Sequence, residues 1–387
     1  MVKTSRRANS IGRTKMRMMF ELERECENVI SFSVGEPNFH TPENIVEACK
    51  RSLDAHQTGY APNQGVVELR EAVANRIRRT HGVDYDISEI IITSGGINAL
   101  RATAQAIIDP GDEIIIPNLH WPNHHNHPIL EMGVPVEVPV SAETNFMYDV
   151  DTLGKYVTPR TTAIVLNSPA NPTGAVMDRE TMGRLCAFVR DHDLMLVSDE
   201  VYEQLIYDGA EFVSPLMFDG MKERTILCNS LSKGYAMTGW RLGYAAGPKE
   251  IISAMLRMNE NTLANPTTFV QYAGIEALEG DQSAVEQMRQ AFQERRDIIW
   301  QGLNAIPGIS AHKPQGAFYI WADIRGTGLS SDEFATRLIR EKSVGLTPGS
   351  GFGGGGEGYV RLSYALSKED LLEGLRRISE FVESLNR

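Results

Sequence analysis

Four short stretches put reactive or ligand-holding residue types at the ends of apolar runs. In "NSLSKGYAMTGWRLGY" (229–244), Lys233 stands between small and hydroxyl residues, with Ser230 and Ser232 beside it and Arg241 eight residues on. A lysine is ordinarily a solvated charge and an arginine ahead of a strand ordinarily a surface ion pair. Placed just after the apolar run "RTILCNS", the pair is also a candidate for chemistry. "TSGGINAL" (93–100) is a strand end, a glycine turn (Ser94, Gly95, Gly96) and a helix start. Its backbone N–H groups can cradle a phosphate with help from the helix dipole, or it is only a tight turn that needs glycine. "SPANPTG" (168–174) holds Asn171 between two prolines and a glycine. That is a rigid turn, or an amide fixed where it can donate to a ligand oxygen. "VSDEVY" (197–202) ends an apolar strand with Asp199. A carboxylate there is costly unless it meets a positive partner, such as a ring nitrogen that must stay protonated. Tyr202, three residues on, can point into the same cleft.

The elements that must position these residues follow from the apolar pattern. "EIIITSGG", "DEIIIP", "VPVEVPV" (134–140), "TTAIVLNSP" (161–169), "LMLVSDE" (194–200), "RTILCNS" (224–230) and "LGYAAG" (242–247) read as short, continuously apolar strands. Such strands belong to a sheet covered on both faces. Between them, "INALRATAQAII" and "RETMGRLCAFVRDHD" carry apolar residues at helical spacing. The alternation predicts an α/β fold with a mostly parallel central sheet flanked by helices, and ligands in such sheets bind at the carboxyl ends of the strands. Ser94 to Gly96, Asn167 to Asn171, Asp199 and Ser230 to Lys233 all fall there.

After residue 280, near "EALEGDQSA", the style changes. A long polar helix, the strand "GAFYIWADI", two further helices and "VGLTPGSGFGGGGEGYVRLSYA" predict a smaller α+β domain over 281–387. The expected division is an arm and part of the small domain over 1–45, a large domain over 46–280 and the small domain beyond. "GFGGGGEG" (351–358) reads as a flexible loop.

Composition narrows the function. The 387 residues are 42% hydrophobic and 23% charged, enough for a large core and against wholesale disorder. Thirty-eight basic and 50 acidic residues leave a net charge of −12, which argues against a general nucleic-acid binder. Cys26, Cys49, Cys186 and Cys228 form no CxxC pair, so a reducing, cytoplasmic setting is expected rather than a disulfide framework or zinc ribbon. No apolar run approaches the ~20 residues of a membrane span. Residues 1–18 are rich in Arg and Ser and free of acid; a basic arm over the body is expected ahead of a mitochondrial transit peptide.

Taken in order, a glycine turn, Trp121, Asn171, Asp199, Tyr202, Lys233 and Arg241 form one set that resembles the aspartate aminotransferase superfamily. This is class I/II of the pyridoxal-phosphate enzymes, fold type I. The resemblance runs from "SFSVGEPNFHTPENI" (31–45) to "GYVRLSYA" (358–365), and "SPANPTGAV", "SDEVYEQLIYDG" and "SLSKGYAMTGWRLGY" match family motifs nearly residue for residue. It implies that pyridoxal 5'-phosphate is the cofactor and Lys233 the Schiff-base lysine, which forms the internal aldimine and then shuttles the substrate proton. It implies that Asp199 pairs with the pyridinium nitrogen, that Tyr202 and Asn171 bond the phenolic oxygen, and that Trp121 stacks on the ring. Ser230, Arg241 and the turn of Gly95, Gly96 and Ile97 would grip the phosphate. Arg361 would fork onto the substrate α-carboxylate, helped by Asn171 and the backbone near Gly35. Tyr60, in "TGYAPNQGVVELR", matches the tyrosine that reaches the neighbouring subunit's cofactor, so a homodimer is implied.

The implied reaction is ping-pong transfer of an amino group from an L-amino acid to a 2-oxo acid such as 2-oxoglutarate. β-Elimination, racemisation or cyclisation on the same cofactor stays open. A cofactor-binding regulator is disfavoured, because about 30 residues ahead of "SFSVGEPNF" are too few for a DNA-binding domain. A second cation for a dicarboxylate is not identifiable; Arg6, Arg7 and Arg13 are the candidates. One departure stands out in "NLHWPNHHNHP" (118–128), where relatives often carry Pro-Tyr before the tryptophan. His120, His124, His125 and His127 crowd this run. The expectation is that His120 or His124 reshapes the substrate-pocket wall, with a metal site disfavoured for want of nearby carboxylate or cysteine ligands.

Overall fold

The computed structural model describes residues 3–385. In chain order the strands are β1 (Ile30–Ser31), β2 (Ile90–Thr93), β3 (Glu113–Pro117), β4 (Val134–Val138), β5 (Thr161–Asn167), β6 (Met195–Asp199), β7 (Thr225–Ser230), β8 (Gly243–Ala246), β9 (Ser310–Ala311), β10 (Tyr319–Asp323), β11 (Val344–Gly345), β12 (Thr347–Pro348) and β13 (Tyr359–Ser363). Seven of them make the central sheet, in the order β2-β8-β7-β6-β5-β3-β4. β7, β6, β5, β3 and β4 run parallel, and only β8 is antiparallel to its neighbours. Every residue of β2, β7 and β8 is buried, as expected for strands covered on both faces.

Apolar clusters lie on either side of this sheet. One packs Ile91, Ile114, Val165, Val197 and Ile226 against helix Gly96–Ile107; the other packs Ile115, Ile164, Leu166 and Leu196 against helix Arg179–Asp191. Parallel strands therefore all end on one edge, where the loops that carry the polar residues open.

A second, four-stranded sheet in the order β12-β13-β10-β9 packs with helices Ser283–Asn304, Ser331–Lys342 and Lys368–Leu385. β1 pairs in parallel with β11, so the N-terminal segment joins the C-terminal one. The basic arm lies on the body: helix Lys15–Glu23 buries Met19, Lys15 pairs with Asp332 at 2.9 Å, and Glu23 accepts from Ser31 and Ser33. The first two residues of that arm lie outside the described ones. Among the described residues, no helix is long and apolar enough to cross a membrane.

One sequence expectation changes. "GFGGGGEG" is a closely packed turn: Gly356 N donates to the Gly353 carbonyl at 3.1 Å and Gly355 N to the Asn118 carbonyl at 3.1 Å. Glycine is needed because a Cβ at Gly353 would lie 2.5 Å from the Asn118 oxygen, on a backbone at φ +103°. Composition alone does not reveal what a glycine packs against.

Candidate functional site

The loops at the carboxyl edge of the central sheet enclose a cleft of about 400 Å³. Gly35, Gly96, Ile97, Trp121, Asn171, Asp199, Tyr202, Ser230, Lys233, Arg241 and Arg361 all line it. Gly95, next to Gly96 in the turn, and Tyr60, 95% exposed, do not line it.

Lys233 sits in the one-turn helix Leu231–Gly234, entered straight from β7. Ser230 caps it: its Oγ accepts from Ser232 N at 3.1 Å and lies 2.9 Å from Ser232 Oγ. The hydroxyls that flank the lysine satisfy the turn's own polar groups. The Lys233 amine donates to the Gly35 carbonyl. Burial pulls its pKa from 10.5 down to about 8; Arg361 and Arg241 add to the fall and Glu36 opposes it. A lysine so perturbed in a cleft is a nucleophile or proton carrier near neutral pH.

Asp199 ends β6. Its Oδ2 lies 2.8 Å from His124 Nε2, and its backbone carbonyl accepts from Asn167 Nδ2 at 3.0 Å. His124 is buried on helix Pro122–Leu130 and packs edge-on to Trp121 at 5.6 Å. The expectation that His120 or His124 forms the cleft wall is therefore corrected: neither lines the cleft, and His124 stands behind Asp199 as its partner. The other histidines disperse. His120 Nε2 lies 3.3 Å from Glu137, His125 stacks on His120 at 5.5 Å, and burial pushes His127 down to about 3. Among the described residues, no three ligating atoms from this run meet closely enough for a metal.

Tyr202 lies 3.0 Å, hydroxyl to hydroxyl, from Tyr319, and burial drives its pKa well above the usual range. It stays a phenol and can donate. Asn167 Oδ1 accepts from Asn171 N at 2.8 Å and so fixes the turn that presents Asn171.

The phosphate-type subsite is built from backbone and guanidinium. Helix Gly96–Ile107 opens at the cleft with the free N–H groups of a helix start. Gly95 has φ +81°, and a Cβ there would lie 2.7 Å from Arg241 Nη2. Arg241 itself has φ +56°, an uncommon conformation for a side-chain-bearing residue. Its Nη1 donates to the Thr238 carbonyl at 2.9 Å, which holds the guanidinium beside the glycine turn.

At the other end, Arg361 of β13 is fully buried. Nη2 donates to the Ser33 carbonyl at 2.7 Å and to Thr347 Oγ1 at 3.4 Å, and Nη1 to Asn171 Oδ1 at 3.1 Å, while among the described residues Nε has no partner. The rings of Tyr319 and Phe352 lie 4.4 and 4.9 Å from its Cζ. Among the described residues no carboxylate pairs with this cation, which leaves it able to pair with a ligand carboxylate.

Sequence reasoning missed Met16, Phe20, Val34 and Tyr319, which add apolar and aromatic wall to the cleft. Arg6, Arg7 and Arg13 do not line it, and Arg13 pairs with Glu21. No periodicity links helix Lys15–Glu23 to a site built mainly some 80 to 350 residues later.

Residues 27–378 match the sequence profile of the family "Aminotransferase class I and II". The chain is 43% identical over 382 residues to the aromatic-amino-acid aminotransferase 2 of Thermococcus litoralis, covering 98% of both chains. It is 41% identical over 375 residues to the aspartate aminotransferase of Pyrococcus horikoshii, covering 96% of this chain and 95% of that protein. The crystal structure of the Thermus thermophilus aspartate aminotransferase with maleate superposes with a TM-score of 0.93 at 40% identity, covering 98% of this chain and 100% of that one.

Proposed function

The chain belongs to the aminotransferase class I and II family, whose members move an amino group from an amino acid to a 2-oxo acid, and we propose that it does so with pyridoxal 5'-phosphate held in the cleft described above. One observation carries the reading: a neutral-leaning lysine, a histidine-backed carboxylate and a buried arginine without a charge partner all face one cavity.

The donor set fits that cofactor. A Cβ at Gly95 would fill the space beside Arg241, so this turn is kept open for a group that an arginine and helix amides hold, as they hold phosphate. When bound, the cofactor supplies an aldehyde carbon for amine exchange and a ring that accepts electrons. Ser230, Arg241, Gly95, Gly96 and Ile97 would hold its phosphate, Trp121 its ring face, and Tyr202 with Asn171 its phenolic oxygen. Asp199, oriented by its 2.8 Å contact with His124, would hold a proton on the ring nitrogen. Lys233 would hold the cofactor through its aldehyde carbon, and its amine, drawn down to about 8, would take and return the substrate α-proton. Arg361 binds the substrate carboxylate and so fixes which bond at the α-carbon faces Lys233.

The cleft's cations among the described residues are Lys233, Arg241 and Arg361, each with a role in this account. Met16, Phe20, Val34, Trp121 and Tyr319 leave an apolar and aromatic wall for the rest of the substrate. The reading is therefore an apolar or aromatic L-amino acid as donor. For 2-oxoglutarate as acceptor, the distal carboxylate is left to neutral donors or to a partner subunit. We also propose a homodimer in which the exposed Tyr60 reaches the partner's site. The domain division at 45 and 280 belongs to the same proposal, supported by the β1–β11 pairing, as does a cytoplasmic setting, supported by four free cysteines.

The test mixes the holoenzyme with each of the twenty amino acids and records loss of the imine absorbance. Reaction with aromatic and large apolar donors, and recovery of the absorbance on adding a 2-oxo acid, is the expected result. Pyruvate and ammonia released without an oxo-acid acceptor would refute transamination. A Lys233→Ala and Tyr60→Phe mixed dimer that regains activity would support the shared site.

A further inference from the structure

Two stretches that stand out in the sequence, "NLHWPNHHNHP" and "GFGGGGEG", meet in space. His120 N donates to the Phe352 carbonyl at 2.9 Å, and Gly355 N to the Asn118 carbonyl at 3.1 Å. Glu137, on β4, ties both together: its Oε2 accepts from Gly354 N at 3.1 Å and its Oε1 lies 3.3 Å from His120 Nε2. His120 Nδ1 in turn faces the Trp121 carbonyl at 3.2 Å. Both ring nitrogens thus face oxygen atoms. The glycines make the contact possible. A Cβ on Gly353 would lie 2.7 Å from His120 Nε2, and one on Gly355 2.6 Å from Asn118 Nδ2. At these glycines the loop docks by backbone alone.

Just ahead of these glycines, Phe352 turns inward. It is fully buried, packs in the apolar cluster that holds Leu119 and Val138, and stands edge-on to Trp321 at 5.6 Å. Its ring is also one of the two that rest on the Arg361 guanidinium, at 4.9 Å. The loop that Glu137 anchors on the central sheet thus also carries a ring that rests on a cation of the other sheet.

We propose that His120 and Glu137 are positioning residues for the carboxylate-binding arginine: they clamp the glycine loop, and the clamped Phe352 holds Arg361 in the orientation that meets a substrate carboxylate. This rests on the reading of Arg361 as the carboxylate residue. Its Nη atoms donate to Ser33, Asn171 and Thr347, but among the described residues its Nε has no partner, so the ring contacts share in fixing the guanidinium plane.

The test compares the holoenzyme with Glu137→Ala, Glu137→Gln and Phe352→Leu variants, and with Arg361→Lys as a control. Steady-state kinetics use an amino acid, and single-turnover amino transfer uses a primary amine of the same side chain without the carboxylate. Glu137→Ala and Phe352→Leu are expected to raise the amino-acid KM roughly tenfold, with kcat changed little. Their reaction with the amine should match the wild type, and the cofactor absorbance should not change. Glu137→Gln, which keeps an acceptor for Gly354, should recover part of the loss. If the amine slows as much as the amino acid, or kcat falls at constant KM, the clamp is merely structural and the proposal is overturned. If Arg361→Lys leaves KM unchanged, the carboxylate reading itself is wrong. If Arg361→Lys raises KM and the Glu137 and Phe352 variants do not, only the clamp fails.

Discussion

Lys233 should react at pH values where an ordinary lysine is silent. In protein freed of cofactor, burial draws its pKa from 10.5 to about 8. At pH 8 about half of the Lys233 amines are then neutral, against about one in 300 for an unshifted lysine, a roughly 150-fold difference in reactive fraction. A short pulse of limiting acylating reagent across pH 6 to 10.5, read by peptide mass spectrometry, measures this directly. Labelling of Lys233 should rise with a midpoint near 8. Glu36 raises the Lys233 pKa, so Glu36→Gln should move the midpoint lower still. Stability follows with a definite sign. The folded amine loses its proton before the unfolded one, so between about 8 and 10.5 the unfolded chain binds more protons and stability rises with pH. Lys233→Met should therefore melt higher than the wild type below about pH 8, and the gap should close towards pH 10.5. A labelling midpoint near 10.5, or a melting gap that does not depend on pH, would show that the cleft does not desolvate the amine.

Three further outcomes follow from single contacts. Gly95→Ala places a Cβ against Arg241 Nη2 on a backbone at φ +81°, and should weaken cofactor binding by about ten- to a hundredfold, from roughly 1–3 kcal/mol of strain, read by equilibrium dialysis. His124→Phe leaves Asp199 buried without its 2.8 Å partner and should lower cofactor affinity and kcat by about tenfold or more, with His124→Asn falling between; stopped-flow absorbance and dialysis separate the two effects. Arg361→Lys replaces a planar fork with a point charge and should raise the amino-acid KM about a hundredfold while cofactor absorbance is unchanged.

The central sheet was legible because each strand is a short apolar run that ends in a polar or glycine turn, and parallel strands deliver those ends to one edge. That is how Gly96, Asn171, Asp199 and Ser230, far apart in the chain, could be expected in one cleft. The partner of Asp199 was not legible. His124 lies 75 residues earlier, and only the sheet order, which sets β3 and β6 on either side of β5, puts the helix after β3 beside the end of β6. The histidine run showed an unusual composition but not that its members face different neighbours. The glycine loop misled for a related reason: a missing side chain records a close approach, and the sequence does not say to what. Phe20 and Met16 enter the cleft from an arm whose docking depends on Lys15, Asp332 and Glu23, contacts made across the whole chain.

The central claim is that the Lys233 amine is the group that binds the cofactor and moves the proton. Borohydride reduction of the cofactor-loaded protein, followed by peptide mapping, tests it most directly. The account predicts one cofactor-bearing peptide, modified at Lys233, with the adduct and amino transfer both absent from Lys233→Ala. A cofactor fixed to any other lysine, or full turnover by Lys233→Ala, would contradict it.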